Sequence, residues 1–296
     1  MTSEWDYIKL ATKLFFSKSP EVLVGTGEDD CAVVKLAKYN IVMTADSLHE
    51  STDFPPQMKE WEKGYMSIAV NLSDIAAMGA NPKYFLYTVT LKENYPLDKF
   101  KEFCYGIKKL ADMYNVLIIG GDTDRGNEMS ISGFALGYGN RLLLRKNAKP
   151  GEKVFLTGEL GKAQLTLEQV MNGVSREDSA YPEKLYTPTP RVEEGLKLSK
   201  FASACTDISD SLAISLHNIS SASGVKIELK IPDLSYLEEF VSSEKALELF
   251  LYSGGDYELV YTCKDDELNG IEIGMVIEGS GVFLNNRAVP FKGYTH

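Results

Sequence analysis

The sequence predicts an α/β protein built from two domains. Its 296 residues are enough for two hydrophobic cores of ordinary size. Short apolar strands alternate with segments of helical periodicity in both halves of the chain, and this alternation is typical of α/β folds. A turn signal at Lys149-Pro150-Gly151 separates the halves. We therefore expect an N-terminal domain over 1–147 and a C-terminal α/β domain over 148–296.

The N-terminal half is predicted to contain three helices and five strands. Apolar residues at helical spacing predict helices over 5–16, 58–79 and 97–113, the first ending at 17–20. Strands are predicted over 31–36, 40–45, 83–91, 116–119 and 129–138. The strand over 116–119 is wholly apolar, so we expect it to be buried.

The C-terminal half resumes the alternation. It is predicted to begin with a strand over 153–157, a helix to about 172 and a proline-containing mobile loop over 175–190. Two helices follow, one over 191–200 and one that has Asp207 and Asp210 at its start and ends at Gly224. A strand over 225–231, a helix over 243–251 and strands over 259–263, 271–277 and 282–284 follow.

The helix over 58–79 sets Asn71 and Asp74 into a small, apolar segment, AVNLSDIAAMGANP at 69–82. A buried carboxylate is costly unless it is paired, hydrogen-bonded or bound to a metal, whereas an exposed one needs no partner. The sequence leaves both interpretations open. The small residues that follow Asp74 predict close packing of another backbone against this helix.

Composition restricts the classes of function. The chain carries 31 Lys and Arg against 42 Asp and Glu, a formal charge of −11, which argues against binding to nucleic acids or anionic membranes. To bind phosphate compounds, so acidic a protein would need metal cations, since the repulsion between two like charges 4 Å apart costs about 4 kcal/mol at an effective dielectric near 20. Four widely separated cysteines lack a zinc pattern, and no signal peptide or spanning segment is recognisable, so we expect a cytoplasmic protein.

Six aspartates stand at predicted strand ends, glycine turns or helix starts, where side chains from distant segments can converge: Asp30, Asp46, Asp74, Asp122, Asp207 and Asp210. Each alone has a structural explanation; Asp207 or Asp210, for example, could cap a helix. Together they suit the binding of Mg²⁺ through oxygen ligands. Mg²⁺ beside the backbone amides of glycine turns indicates chemistry on a nucleoside triphosphate.

The common alternatives lack their motifs. The sequence contains no GxxxxGK[ST], protein-kinase or GxGxxG signature. His49, His217 and His296 have no partner motif that would support catalysis by a serine or cysteine nucleophile.

The ordered motifs resemble those of the thiamine-monophosphate kinases, within the aminoimidazole ribonucleotide synthetase-like superfamily. They span nearly the whole chain: GEDDCAVV (27–34), TADSLHESTDF (44–54), AVNLSDIAAMGANP (69–82), GGDTDRG (120–126), RKNAKPGE (145–152), TDISDSL (206–212) and SGGDYELVYT (253–262). The resemblance implies Mg²⁺-dependent transfer of the γ-phosphoryl of ATP to thiamine monophosphate. It also implies a homodimer whose N-terminal halves join their mixed sheets into a shared barrel, with ATP at the dimer interface.

By this resemblance the site residues fall into four groups. The positions implied to bind magnesium are Asp30, Thr44, Asp46, Asp74, Asp122, Asp207 and Asp210, of which Asp74, Asp122 and Asp210 are implied to be catalytic. The positions implied to contact ATP are Tyr105, Gly121, Asp122, Arg145 and Ser209, and those implied to contact the substrate are Asp53, Gly255 and Tyr294.

Four positions depart from the family pattern. Asp53 stands in place of a histidine, Gly255 in place of a glutamate, Ser211 in place of a glycine and Ala45 in place of a threonine. The first two fall where the family contacts its acceptor. The alternatives are another ATP-dependent enzyme of the superfamily, such as a ribonucleotide cyclo-ligase or a selenophosphate synthetase, and a nucleotide- or thiamine-phosphate-binding protein without turnover.

Overall fold

The computed structural model describes residues 4–15 and 19–294, and these form two mixed β-sheets with helices packed against them. The predicted end of the first helix, His296 and the first three residues lie outside the described residues. Every strand of the first sheet precedes residue 140 and every strand of the second follows residue 152. The two predicted halves therefore correspond to two sheets, and the domain boundary at 147/148 stays a prediction within the connecting segment.

The elements lie where sequence periodicity places most of them. The helices are α1 (Glu4–Phe15), α2 (Glu60–Ala77), α3 (Leu97–Met113), α4 (Lys162–Met171), α5 (Pro182–Tyr186), α6 (Val192–Leu198), α7 (Leu212–Ser223), α8 (Ser235–Glu238) and α9 (Ser243–Tyr252), with a 3₁₀ turn at Arg145–Asn147. The strands are β1 (Val22–Val24), β2 (Ala32–Leu36), β3 (Tyr39–His49), β4 (Asn81–Lys92), β5 (Leu117–Gly126), β6 (Ser130–Gly139), β7 (Lys153–Leu156), β8 (Ala204–Ile208), β9 (Lys226–Leu229), β10 (Glu258–Cys263), β11 (Ile271–Ile277), β12 (Gly281–Leu284) and β13 (Arg287–Ala288).

The first sheet has the strand order β1-β2-β3-β6-β4-β5. Its strands pair antiparallel except β4 and β5, which pair parallel and are joined through α3, as a parallel connection requires a crossover. Helices α2 and α3 pack together on one face, over buried residues such as Phe85, Val89 and Ile131. Most of α2 is buried, so this helix is the centre of the N-terminal core.

The opposite face of this sheet is open and apolar. Tyr84 and Leu86 on β4 and Phe134 and Tyr138 on β6 are each more than a third exposed. Residues Leu117–Ile119 on β5 are exposed as well, so the prediction that this strand is buried is wrong. The physical reason is position: β5 is the edge strand of the sheet, and its outer edge has no partner strand within the described residues.

The second sheet has the order β13-β12-β9-β11-β7-β10-β8 and packs against α7 and α9 around its own core. Helix α6 of this half packs on α2 of the other half. A Cβ on Gly195 would lie 2.1 Å from the carbonyl oxygen of Ala76, a distance that only glycine allows. The close backbone packing predicted for the small residues after Asp74 is confirmed.

Several local predictions need correction. The segment predicted as a loop over 175–190 contains α5, and its Arg176 forms a two-pronged ion pair with the buried Glu62 on α2. Asp207 lies on β8 and not at a helix start. Ser211 is the N-cap of α7, since its hydroxyl accepts the amide N–H of Ile214 at 3.0 Å. A hydroxyl competes well for this position, so neither aspartate is needed as the cap.

The helices of residues 4–15 and 19–294 include none with the length and apolarity of a membrane span.

Candidate active site

A cavity of about 360 Å³ lies between α2 with β3 on one side and helix α4 with loops of the C-terminal half on the other. Carboxylates line one part of it and apolar side chains line another. The lining consists of Asp46, Ser47, Leu48, Thr52, Asp53, Pro55, Met66, Val70, Asp74, Ala163, Gln164, Leu167, Leu185, Asp207, Ser209, Asp210, Gly254, Gly255, Tyr257 and Tyr294. Residues predicted from well-separated motifs therefore meet in one cavity of the size that small ligands require.

Asp74 and Asp46 form the centre of the carboxylate part. Asp74 projects from α2 towards β3, where its Oδ2 accepts a hydrogen bond from Thr44 Oγ1 at 2.5 Å. Burial raises the pKa of Asp74 well above its usual range, and the neighbouring charges of Asp46 and Asp207 raise it further. Burial also raises the pKa of Asp46. Asp74 is therefore a half-buried carboxylate among other acids, and the interpretation of Asp74 as an exposed residue is wrong.

Asp207 enters from β8 of the second sheet. It is 6% exposed, and its Oδ2 accepts a hydrogen bond from Ser73 Oγ at 2.8 Å. Burial, with the negative charge of Asp30, raises the pKa of Asp207 to about 8. The hydrogen bond crosses between the two halves of the chain, so the packing of α2 against β8 fixes the position of this carboxylate.

Asp30 and Asp29 are outside the cavity lining and pair with Arg145. The guanidinium of Arg145 pairs with Asp30 Oδ1, which also accepts a hydrogen bond from Thr206 Oγ1 at 2.8 Å. The second oxygen, Asp30 Oδ2, is buried and has no hydrogen-bond partner among the described residues. Burial, followed by the charge of Asp30, raises the pKa of Asp29 to about 7. A buried, unpartnered carboxylate oxygen beside other acids suits a cation as its missing partner.

The chemistry of these donors fits magnesium. All are oxygens, which Mg²⁺ prefers, and the described residues of the cavity lining include no Lys, Arg or His side chain that could balance the acids. In the described parts of the chain, no group of three or more His, Cys, Asp or Glu side chains is placed so that it could hold a metal ion. Mg²⁺ commonly takes one or two carboxylates and completes its shell with water and phosphate oxygens, so an incomplete protein set is consistent with this metal.

The three residues predicted for the substrate all line the cavity. Asp53 closes the turn after β3, where its Oδ2 accepts the amide N–H of His49 at 2.7 Å. Gly255 has a φ of +83°, a conformation that a side chain at this position would strain. The amide N–H of Tyr294 donates to the carbonyl of Asp210 at 3.1 Å, so the C-terminal segment is held against the Asp210 loop.

Six predicted residues do not line this cavity. Thr44 contacts the lining residue Asp74, and Arg145 pairs with Asp30, whose charge acts on Asp207. The other three are Tyr105, Gly121 and Asp122. Tyr105 is exposed on α3, and Gly121 and Asp122 are on the edge strand β5. In the sheet Asp122 is opposite Thr88 on β4, Thr88 is opposite Ser132 on β6, and Ser132 is opposite Ser47 on β3. Asp122 is therefore three strands away from Ser47, or roughly 14 Å at ordinary strand spacing. Within one chain the predicted site therefore has two separate parts.

Comparison with known proteins identifies the family. Residues 28–138 match the family model of the AIR synthase related protein, N-terminal domain. A thiamine-monophosphate kinase of Archaeoglobus fulgidus is 48% identical over 297 residues, covering 99% of this chain and 97% of the relative. The chain belongs to the thiamine-monophosphate kinase family. The member from Methanospirillum hungatei is 36% identical over 92% of this chain and 93% of its own length. A solved structure described as AaThiL complexed with AMPPCP and TMP is 29% identical, with a TM-score of 0.89 over 99% of this chain and 97% of that one.

Sequence reasoning missed parts of this thiamine-monophosphate kinase family site. Gln164 and Tyr257 line the cavity but have no charge or motif of their own that would single them out. Asp256 belongs to the motif over 253–262, but the sequence did not mark it as a site residue. It is 3% exposed and holds α4 against the cavity loop through two backbone N–H groups. The one available signal is its place in the motif over 253–262.

Proposed function

We propose that this chain transfers the γ-phosphoryl group of ATP to thiamine monophosphate. A phosphate oxygen of thiamine monophosphate forms the new P–O bond, the bond between the β-bridging oxygen and the γ-phosphorus of ATP breaks, and thiamine diphosphate and ADP are the products. The observation that carries the proposal is the cavity of converging carboxylates, in a chain that is 48% identical to a thiamine-monophosphate kinase over 99% of its length. Binding of AMPPCP and TMP by the related AaThiL supports it.

The residues of the site can perform this chemistry without a general base. The acceptor phosphate is already ionised near pH 7, so positioning and charge neutralisation supply most of the rate. Asp30, Asp46, Asp74 and Asp207 would hold Mg²⁺, with Thr44 and Ser73 fixing Asp74 and Asp207 by hydrogen bonds. Bound Mg²⁺ would neutralise the charge on the transferring and leaving phosphates. Arg145 holds Asp30 and is a further cation that can contact ATP.

We further infer that the complete site forms between two subunits. One part comprises the acids, Arg145 and Ser209 around the cavity, and the other comprises Tyr105, Gly121 and Asp122 beside the sheet edge. The open apolar face of the first sheet and the unpaired edge of β5 suit a second copy of the chain, because strand pairing between subunits satisfies exposed backbone groups. Such pairing would bring the second part of one subunit to the cavity of its partner and close the predicted barrel.

The dimer has a direct test in Ile119→Lys. Ile119 is 57% exposed on β5, and a lysine on an edge strand opposes pairing. We expect the native chain to elute as a dimer, and the variant to shift towards monomer with kcat at least about tenfold lower at low protein concentration, in light scattering and activity assays. Met171→Lys, which changes an exposed residue on α4, is the matched control. A native chain that is monomeric and fully active at nanomolar concentration would contradict the shared site.

Incubation of the purified protein with ATP, Mg²⁺ and thiamine monophosphate tests the activity itself. Equal amounts of thiamine diphosphate and ADP, measured by chromatography, are the expected result. ADP without thiamine diphosphate would favour another ATP-dependent enzyme of the superfamily. Stabilisation by MgATP with no product would favour a binding protein without turnover.

A further inference from the structure

The first turns of α4 form one wall of the cavity. Ala163, Gln164 and Leu167 from this helix all line it, opposite residues from α2 and β3. None of the three is an acid, so this wall differs from the carboxylate part of the cavity. The wall therefore suits the uncharged part of a ligand whose phosphate lies near Asp46, Asp74 and Asp207.

Asp256 fixes this wall. Its Oδ2 accepts the amide N–H of Gly161 at 2.6 Å and its Oδ1 accepts that of Ala163 at 3.2 Å, so the carboxylate binds the N-terminus of α4. The preceding residue, Gly255, donates its own N–H to the carbonyl of Ser209 at 2.7 Å. The start of α4 and the loops that carry Ser209 and Gly255 are thereby joined into one rigid lining.

Gln164 has the one carboxamide side chain among the described residues of the lining. The side-chain nitrogen Nε2 of Gln164 lies 3.2 Å from Glu168 Oε1. The same carboxylate oxygen accepts a hydrogen bond from Lys245 Nζ at 3.0 Å. An ionised carboxylate can only accept hydrogen bonds, so the amide nitrogen of Gln164 must face Glu168. The amide oxygen has no hydrogen-bond partner among the described residues and remains able to accept an N–H from a ligand.

We propose that Gln164 is a specificity-determining residue that recognises the amino group of the acceptor's aminopyrimidine ring, an inference that rests on the proposed function. Thiamine monophosphate has a phosphate, a cationic thiazolium ring and an aminopyrimidine. The exocyclic amine is its neutral N–H donor and matches the oriented amide oxygen of Gln164. Leu167 from the same wall and Leu185 supply apolar surface for the ring itself.

The test compares thiamine monophosphate with oxythiamine monophosphate, in which oxygen replaces the amino group, as acceptors for the native protein and for Gln164→Met. Methionine keeps the approximate volume of glutamine and removes the amide. We expect the native protein to prefer thiamine monophosphate roughly tenfold in kcat/KM, the discrimination that one neutral hydrogen bond provides. In the variant the preference should fall to about twofold or less, with the KM for thiamine monophosphate raised and kcat little changed.

Asn172→Ala, on the exposed end of the same helix, is the control and should keep the native preference. Glu168→Ala provides a second test that leaves the amide in place: by freeing it to rotate, this change should reduce the preference less than Gln164→Met does. Two results would overturn this inference but not the proposed function. One is a preference that is unchanged in both Gln164→Met and Glu168→Ala, and the other is a fall in kcat with an unaltered KM in Gln164→Met. A native protein that forms no thiamine diphosphate would overturn the proposed function and the inference with it.

Discussion

Replacing Asp74 with asparagine is expected to lower kcat for thiamine diphosphate formation by about a thousandfold. Asp74 lies among the carboxylates that line the cavity, where it accepts a hydrogen bond from Thr44. An amide keeps this contact but removes the negative charge that a metal cation requires. Metal-assisted charge neutralisation contributes several kcal/mol to such a reaction, and each 1.36 kcal/mol corresponds to about tenfold in rate.

Steady-state kinetics at saturating ATP and Mg²⁺ measures this loss, and thermal melting measures the fold. The variant should melt at or above the native temperature in the absence of metal, because a neutral amide replaces a carboxyl group whose ionisation is opposed by desolvation and by neighbouring acids. Asp112→Asn is the matched control, since Asp112 is also helical and in the same half of the chain but is exposed and paired with Lys108. Near-native turnover in Asp74→Asn would remove this residue from the mechanism.

Without divalent cations, the free energy of unfolding contributed by the acid cluster is expected to fall as pH rises from about 4 to about 8. In the unfolded chain an aspartate loses its proton near pH 3.8, whereas in the fold the pKa of Asp29 is about 7 and that of Asp207 about 8. Between these values the folded state binds more protons than the unfolded state, so stability decreases with pH. Mg²⁺ can replace the protons, so its stabilising effect should be greater at pH 8 than at pH 5.5.

Melting curves at pH 5.5 and pH 8, with chelator and with Mg²⁺, check this expectation. At saturating Mg²⁺ and pH 8 we expect the melting temperature to rise by roughly 5 °C or more. Asp207→Asn should make the protein more stable than the native chain in chelator at pH 8 and less responsive to Mg²⁺. A native melting temperature unaffected by Mg²⁺ at both pH values would contradict magnesium binding by these residues.

The local sequence determined which segments form elements and which residue types they deliver. Helical spacing predicts α2 and α3 to within a few residues, and the apolar runs predict most strands. The residue types also restrict the chemistry, because aspartates at strand ends, glycine turns and helix starts in a chain without a zinc pattern suit an oxygen-ligated cation. Short elements such as α5 and α8 were missed, since a single turn of helix carries too little periodicity to distinguish it from a loop.

The tertiary structure alone decided which of the predicted residues meet. It brings Asp46, Asp74 and Asp207 to one cavity and leaves Asp122 on the far edge of the sheet, because strand order, which periodicity does not encode, sets these distances. The same order leaves the apolar strand β5 exposed at an edge. The pairing of Arg145 with Asp30 and the orientation of Gln164 by Glu168 depend on the placement of side chains in the folded chain. Sequence determined the donors and most of the elements near them, whereas long-range packing decided their geometry, since convergence depends on contacts between segments far apart in the chain.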